Sequence, residues 1–193
     1  MGISSADEFS AMRLQKFIFG LLLAFMSATV LGQPAWERKL QKELPLLGHR
    51  NWIVVADSAY PQQTAPGIET VYADEDQVKV VTKVLQVLGK TRHVKPIIYT
   101  DAELKQVPEK NAQGINAYRE HLTEALGDRP VQVLPHEQII AKLDEAGKTF
   151  KVLVIKTPLT LPYTSVFFQL DCGYWNAESE AELRSAIKAA GGR

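Results

Sequence analysis

Leu47-Gly48-His49-Arg50-Asn51-Trp52-Ile53-Val54-Val55-Ala56-Asp57-Ser58-Ala59-Tyr60-Pro61 sets an apolar, largely β-branched run between a histidine and a carboxylate. Such a run, without polar alternation, predicts a strand covered on both faces and therefore interior to its sheet. The small residues and Pro61 that follow Asp57 stop regular pairing. Five extended residues at about 3.3 Å each hold His49 and Asp57 more than about 12 Å apart. A site that uses both needs a bend in the chain or a second subunit.

Upstream, Trp36, Leu40, Leu44 and Leu47 recur at helical spacing from Pro34 to Leu47, and Gly48 is a natural stop. His49 is then delivered at a helix carboxyl end, where the dipole favours imidazolium and would raise its pKa. Downstream, Ser58 to Thr70 contains Pro61, Pro66 and Gly67 and reads as an irregular loop. Asp74-Glu75-Asp76 opens a helix that buries Val78, Val81, Val84, Leu85 and Leu88 and ends at Gly89. Val94 to Tyr99 is a strand, and Thr100 to Ala112 a polar connector that can start with a turn capped by Asp101. Asn111 to Leu126 is a helix with Ile115, Tyr118, Leu122 and Leu126 inward. Strands at Val131–Leu134, Phe150–Ile155 and Val166–Leu170 follow, with a short helix from His136 to Leu143 that stops near Gly147, and a last helix from Ala177 to Ala190.

Strands separated by helices predict a single α/β domain, a largely parallel sheet with helices on both faces. In such sheets ligands gather at the carboxyl ends of strands, where Asp57 and His136 both fall.

The 193 residues, 46% hydrophobic and 23% charged, suit one domain with a sizeable core. Lys+Arg and Asp+Glu both total 22, so charge points away from nucleic acid and anionic membranes and towards a small neutral ligand or none. Met12 to Lys16 is a short basic region, Phe17 to Met26 an apolar core, and Ser27 to Gly32 small and weakly polar. Residues 1–32 therefore read as a signal peptide, cleaved before Gln33, with Met12 a candidate start and 33–193 the α/β domain. Export to the periplasm or beyond the cell is expected, with no membrane contact after cleavage. A membrane anchor or a buried helix is the other reading of that stretch. The lone Cys172 cannot form an intramolecular disulfide. Neither His93 nor His121 has metal-ligand spacing, and there is no phosphate-binding glycine loop, so neither metal nor cofactor is expected.

Gly48-His49, an apolar strand, Asp57 eight positions after the histidine and a nearby proline resemble the opening motif of the ribose pyranase and fucose mutarotase family. Pro135-His136-Glu137-Gln138 resembles the His-Glu-Gln segment of the ribose branch, and Pro162-Tyr163-Thr164-Ser165-Val166-Phe167-Phe168 the family's Pro-Tyr-x-Asn-aliphatic run. The resemblance implies a cofactor-free isomerase for a free monosaccharide: a proton leaves the anomeric hydroxyl, another reaches the ring oxygen, and the ring opens and recloses. It makes His49 the acid/base, with Asp57, His136, Tyr163 and Ser165 on the sugar hydroxyls, and implies a ring-shaped homo-oligomer with sites at subunit boundaries. Asn51 stands where the family usually has Asp, Ser165 where it has Asn, and Lys156-Thr157-Pro158-Leu159 replaces an Arg/Thr-Gly-Glu-like turn. These departures leave open a non-catalytic sugar-binding or scaffolding protein on the same fold.

Structural readings compete at each position. His49 can bond the last helix carbonyls, Asp57 can organise an Asx turn, His136 can simply begin a helix, and Tyr163 can be a core aromatic.

Overall fold

The computed structural model describes residues 32–191, so the leader expected at 1–32 lies, Gly32 apart, outside the described residues. Helix α1 (Ala35–Glu43) runs into a 3-10 turn (Leu44–Leu46), then β1 (Trp52–Ala56) and β2 (Ile68–Tyr72). Helix α2 (Gln77–Leu88) leads to β3 (Val94–Asp101), a second 3-10 turn (Ala102–Lys105) and α3 (Ile115–Leu126). The chain continues through β4 (Val131–Leu134), α4 (His136–Thr149), β5 (Val152–Lys156), β6 (Val166–Cys172) and α5 (Ala177–Ala189).

One six-stranded sheet is ordered β2-β5-β1-β6-β3-β4. Only β6 runs against its neighbours, and all other pairings are parallel. β1 lies between β5 and β6 with every residue buried, as its apolar run predicts. Period-two geometry sends Ile53 and Val55 to one face, where α1, α2 and α3 cover them with Leu40, Val80, Val84, Ile115 and Leu122. Trp52, Val54 and Ala56 point to the other face, under Ile139, Leu143 and Ala146 of α4. The expected single α/β domain with helices on both faces is the observed one.

Several boundaries differ from the sequence reading. Ile68–Tyr72, expected within or just after a loop, is an edge strand on β5; an edge strand needs no apolar run, since one side of its ladder stays open. α4 does not stop near Gly147 but runs on to Thr149. Gly147 is there for contact: a Cβ on it would come within 2.7 Å of Ile68, and one on Gly67 within 2.4 Å of the Gly147 carbonyl. β5 shows no alternation because four successive residues are buried. β3 runs two residues past Tyr99, so Asp101 ends a strand rather than opening a connector. α5 buries none of its residues. Among the described residues no helix is long and apolar enough to cross a membrane.

Candidate functional site

Because β6 is reversed, its amino end lies beside the carboxyl ends of β1 and β3, at the sheet edge where β4 also ends. Val55 pairs with Val166, Thr100 with Val166, and Asp101 with Leu134. This register brings Asp57, Ser165, Asp101 and His136, from four chain segments, to one sheet edge. There a hollow of about 350 Å³ is walled by Asp57, Tyr60, Pro61, His136, Ile140 and Tyr163, within the range of small-molecule pockets.

Asp57 makes the Asx turn that its position allows and also meets Ser165. One carboxylate oxygen accepts the Ala59 N–H at 2.8 Å in an Asx turn, and the other accepts the Ser165 hydroxyl at 3.3 Å. A carboxylate has about four lone-pair sites, so about two stay available to the hollow. Ser165 is buried behind Asp57 and does not line the hollow itself. Tyr163 has φ 57°, a left-handed conformation that a side chain adopts at some cost; its ring meets that of His136 edge-on, with centroids 5.6 Å apart.

His136 begins α4, as the structural reading has it, and also faces the hollow. The Glu103 carboxylate accepts its backbone N–H at 3.0 and 3.1 Å. Its Nδ1 lies 3.2 Å from Asp101, whose side chain has no exposure, whereas the imidazole is 30% exposed. Neither Asp101 oxygen has a hydrogen bond in proper alignment, nor does Nδ1. Burial pushes the Asp101 carboxyl up to about 6 against the opposing pull of His136, with Glu103 and Asp57 adding to the rise. Tyr60, buried below the hollow, has its phenol raised chiefly by burial and further by the carboxylates of Asp144, Asp101 and Asp57.

His49 lies at the opposite, amino edge, 57% exposed, with Nδ1 3.0 Å from Asp171 on β6. Within one chain it does not join Asp57, His136 and Tyr163. Asp171 supplies the carboxylate that Asn51 cannot. Partial burial raises the Asp171 carboxyl, but the Cys172 N–H, His49 and Lys95 together hold it below the usual range. Asn51 instead braces the turn, accepting the Gly48 N–H at 2.7 Å and donating to the Lys151 carbonyl at 3.2 Å. His93, not His49, reaches the carbonyls at the end of the first helical segment, Leu44 and Leu47, at 3.2 and 3.1 Å. A second hollow of about 550 Å³ borders His49, with Arg50, Trp52, Phe150 and Gln169 in its wall.

Sequence reasoning missed Asp101 as a site residue and missed the brace beneath the site. Gln77 is buried, donating to Tyr118 at 3.0 Å and to the Thr164 carbonyl at 2.6 Å, and accepting the Thr157 hydroxyl at 2.7 Å. Tyr118 also donates to Thr164, at 2.6 Å. This network ties the turn that carries Tyr163 and Ser165 to α2 and α3. Among the described residues no three His, Cys, Asp or Glu side chains gather as metal ligands would.

The sequence pattern of the RbsD / FucU transport protein family matches residues 32–172; α5 lies beyond it. Among solved structures, Bacillus subtilis RbsD complexed with D-ribose is similar over 69% of this chain and 91% of its own, at 22% identity and TM-score 0.47. FucU from Bifidobacterium longum is similar over 69% and 94%, at 18% identity and TM-score 0.47. The fucose mutarotase in complex with L-fucose from Streptococcus pneumoniae is similar over 69% and 91%, at 17% identity and TM-score 0.46. No curated protein sequence matches the chain.

Proposed function

The chain belongs to the RbsD / FucU transport protein family, and on that premise we propose that it interconverts the anomers or ring forms of a free monosaccharide without a cofactor. The observation that carries this reading is the hollow at the carboxyl edge, where a carboxylate, an imidazole and a phenol converge with small apolar walls. A neutral polyol suits it: Asp57 accepts from hydroxyls, Tyr163 offers a ring face and a hydroxyl, and Ser165 holds Asp57 in place.

Ring opening needs one group to take the anomeric proton and another to protonate the ring oxygen. His49 is proposed as one of the two. Since one chain keeps it at the far edge, it would come from a neighbouring copy in a ring-shaped homo-oligomer, with Asp171 3.0 Å from its Nδ1. Export belongs to the same proposal, supported by the basic and apolar leader at residues 1–32; mass spectrometry of the secreted protein is expected to find Gln33 first.

Saturation-transfer NMR on D-ribose, L-fucose and other common sugars tests the activity: accelerated exchange between forms of at least one sugar is the expected result. His49→Ala is expected to remove the acceleration while the fold stays intact, and an unchanged rate would reject His49. The separation of His49 from the hollow favours a second reading, a sugar-binding protein without catalysis. Sugar binding with no acceleration in the wild type would select it.

A further inference from the structure

Two carboxylates, Asp101 that ends β3 and Glu103 two residues on, grip His136 in different ways. Glu103 takes its backbone N–H and so fixes the start of α4. Asp101, at the end of β3, meets Nδ1 of the ring at 3.2 Å. The Tyr163 ring packs edge-on against the same imidazole. Since Nδ1 is buried while the side chain is partly exposed and lines the hollow, the opposite ring edge, with Nε2, is the one turned to the hollow.

Asp101 has no evident structural use for its charge. It occupies an N-cap position, yet its side chain makes no cap hydrogen bond. Both oxygens are buried without an aligned donor, which is costly for a carboxylate unless a partner compensates. The charged groups that act on it are His136, Glu103 and Asp57, while Lys105 and Arg119 border a separate hollow that Asp101 also lines. Of the three that act on it, two are acids that repel its charge, and the imidazole is the one that complements it.

We propose that Asp101 is a positioning residue: it holds His136 in the Nδ1–H tautomer, leaving Nε2 as the proton acceptor presented to the hollow. This rests on the mutarotase reading only for what Nε2 then does. Nε2 takes the anomeric O–H proton, the ring C–O bond breaks as the C=O forms, and the ring oxygen receives the released pair with a proton from the acid opposite, His49 of the neighbouring chain. The imidazolium so formed keeps Nδ1–H against the Asp101 carboxylate. Rotation about the first carbon–carbon bond and the reverse transfers close the other anomer.

The test is ¹⁵N-histidine NMR of the full chain, with the His136 signals assigned by their loss in His136→Gln, beside saturation-transfer rates on D-ribose and L-fucose. In the wild type at neutral pH the neutral His136 is expected as the Nδ1–H tautomer. In Asp101→Asn it is expected to shift towards Nε2–H, with exchange slowed about 10²-fold or more, sugar affinity nearly unchanged, and the acidic limb of the pH–rate profile, set by the proton acceptor, moved to lower pH. Wild-type His136 already in the Nε2–H form overturns the proposal, and so does Asp101→Asn that leaves tautomer and limb unmoved. Should Asp101→Asn not fold, the wild-type tautomer alone decides. Absence of accelerated exchange in the wild type would sink the mutarotase reading while the tautomer still tests Asp101.

Discussion

The two edges of the sheet each carry a histidine whose Nδ1 faces an aspartate, 3.2 Å apart for His136–Asp101 and 3.0 Å for His49–Asp171. Distance does not distinguish them; solvent does. Asp101 is fully buried and its carboxyl is raised, chiefly by burial, whereas Asp171 is partly exposed, receives the Cys172 N–H and Lys95 as well, and is lowered. The same pair of side chains is thus a costly, specific device at one edge and an ordinary screened surface contact at the other. Each edge also holds a non-glycine residue at positive φ, Tyr163 against His136 and Arg50 with its guanidinium 5.7 Å above the Phe150 ring. Among the described residues, the carboxyl edge adds a fully buried brace through Gln77, where the amino edge has the part-buried Asn51.

Replacing His136 by Gln should produce the largest effect, because an amide can still donate to Asp101 but cannot take a proton at neutral pH. Sugar exchange is expected to fall by about 10²- to 10⁴-fold with folding still cooperative, read by saturation transfer and thermal melting. An unaffected rate would erase the distinction drawn between the edges.

Gln77→Ala comes next. It leaves Thr157, Tyr118 and Thr164 each short of one partner in a buried setting, and a loss of about 2–3 kcal/mol is expected from chemical denaturation. Weaker sugar binding should accompany it as the Tyr163 turn loosens.

Acidity separates the edges in sign. Asp101 keeps its proton in the folded chain up to about pH 6, against 3.8 ordinarily. Its contribution to stability is therefore full below about pH 4 and is lost as pH rises through 6. Relative to the wild type, Asp101→Asn should gain up to about 3 kcal/mol between pH 4 and 7, measured by denaturant titration at each pH. Asp171, lowered when folded, contributes above the ordinary carboxylate range and loses its contribution as pH falls below it. Asp171→Ala should change stability by less than about 1 kcal/mol, and less still in high salt.

The sequence was most legible where burial wrote a pattern. The uninterrupted run Trp52–Ala56 announced an interior strand, and Ile115, Tyr118, Leu122 and Leu126 announced a helix face that is buried at all four positions. The family was legible in three short segments, and its pattern spans them. β2 was hidden because Glu69 and Thr70 give an edge strand no hydrophobic signature. Asp101 was hidden by two residues of strand length: with β3 ended at Tyr99 it looks like a turn cap, yet the strand-end rule that singled out Asp57 applies to it equally. Gln77 gave no signal, since a lone Gln after three acidic residues looks like a solvated first turn. The reversal of β6 was equally silent, and it is what joins Ser165 to Asp57.

Titrating the protein with an exchanging sugar and following the ring signals of His136, Tyr163 and His49 tests the central claim most directly. Saturable shifts at His136 and Tyr163, with His49 moving alongside them only in the oligomer, are the predicted result. Shifts confined to the residues around Arg50 and Gln169 at the amino edge, with His136 and Tyr163 still, would contradict it.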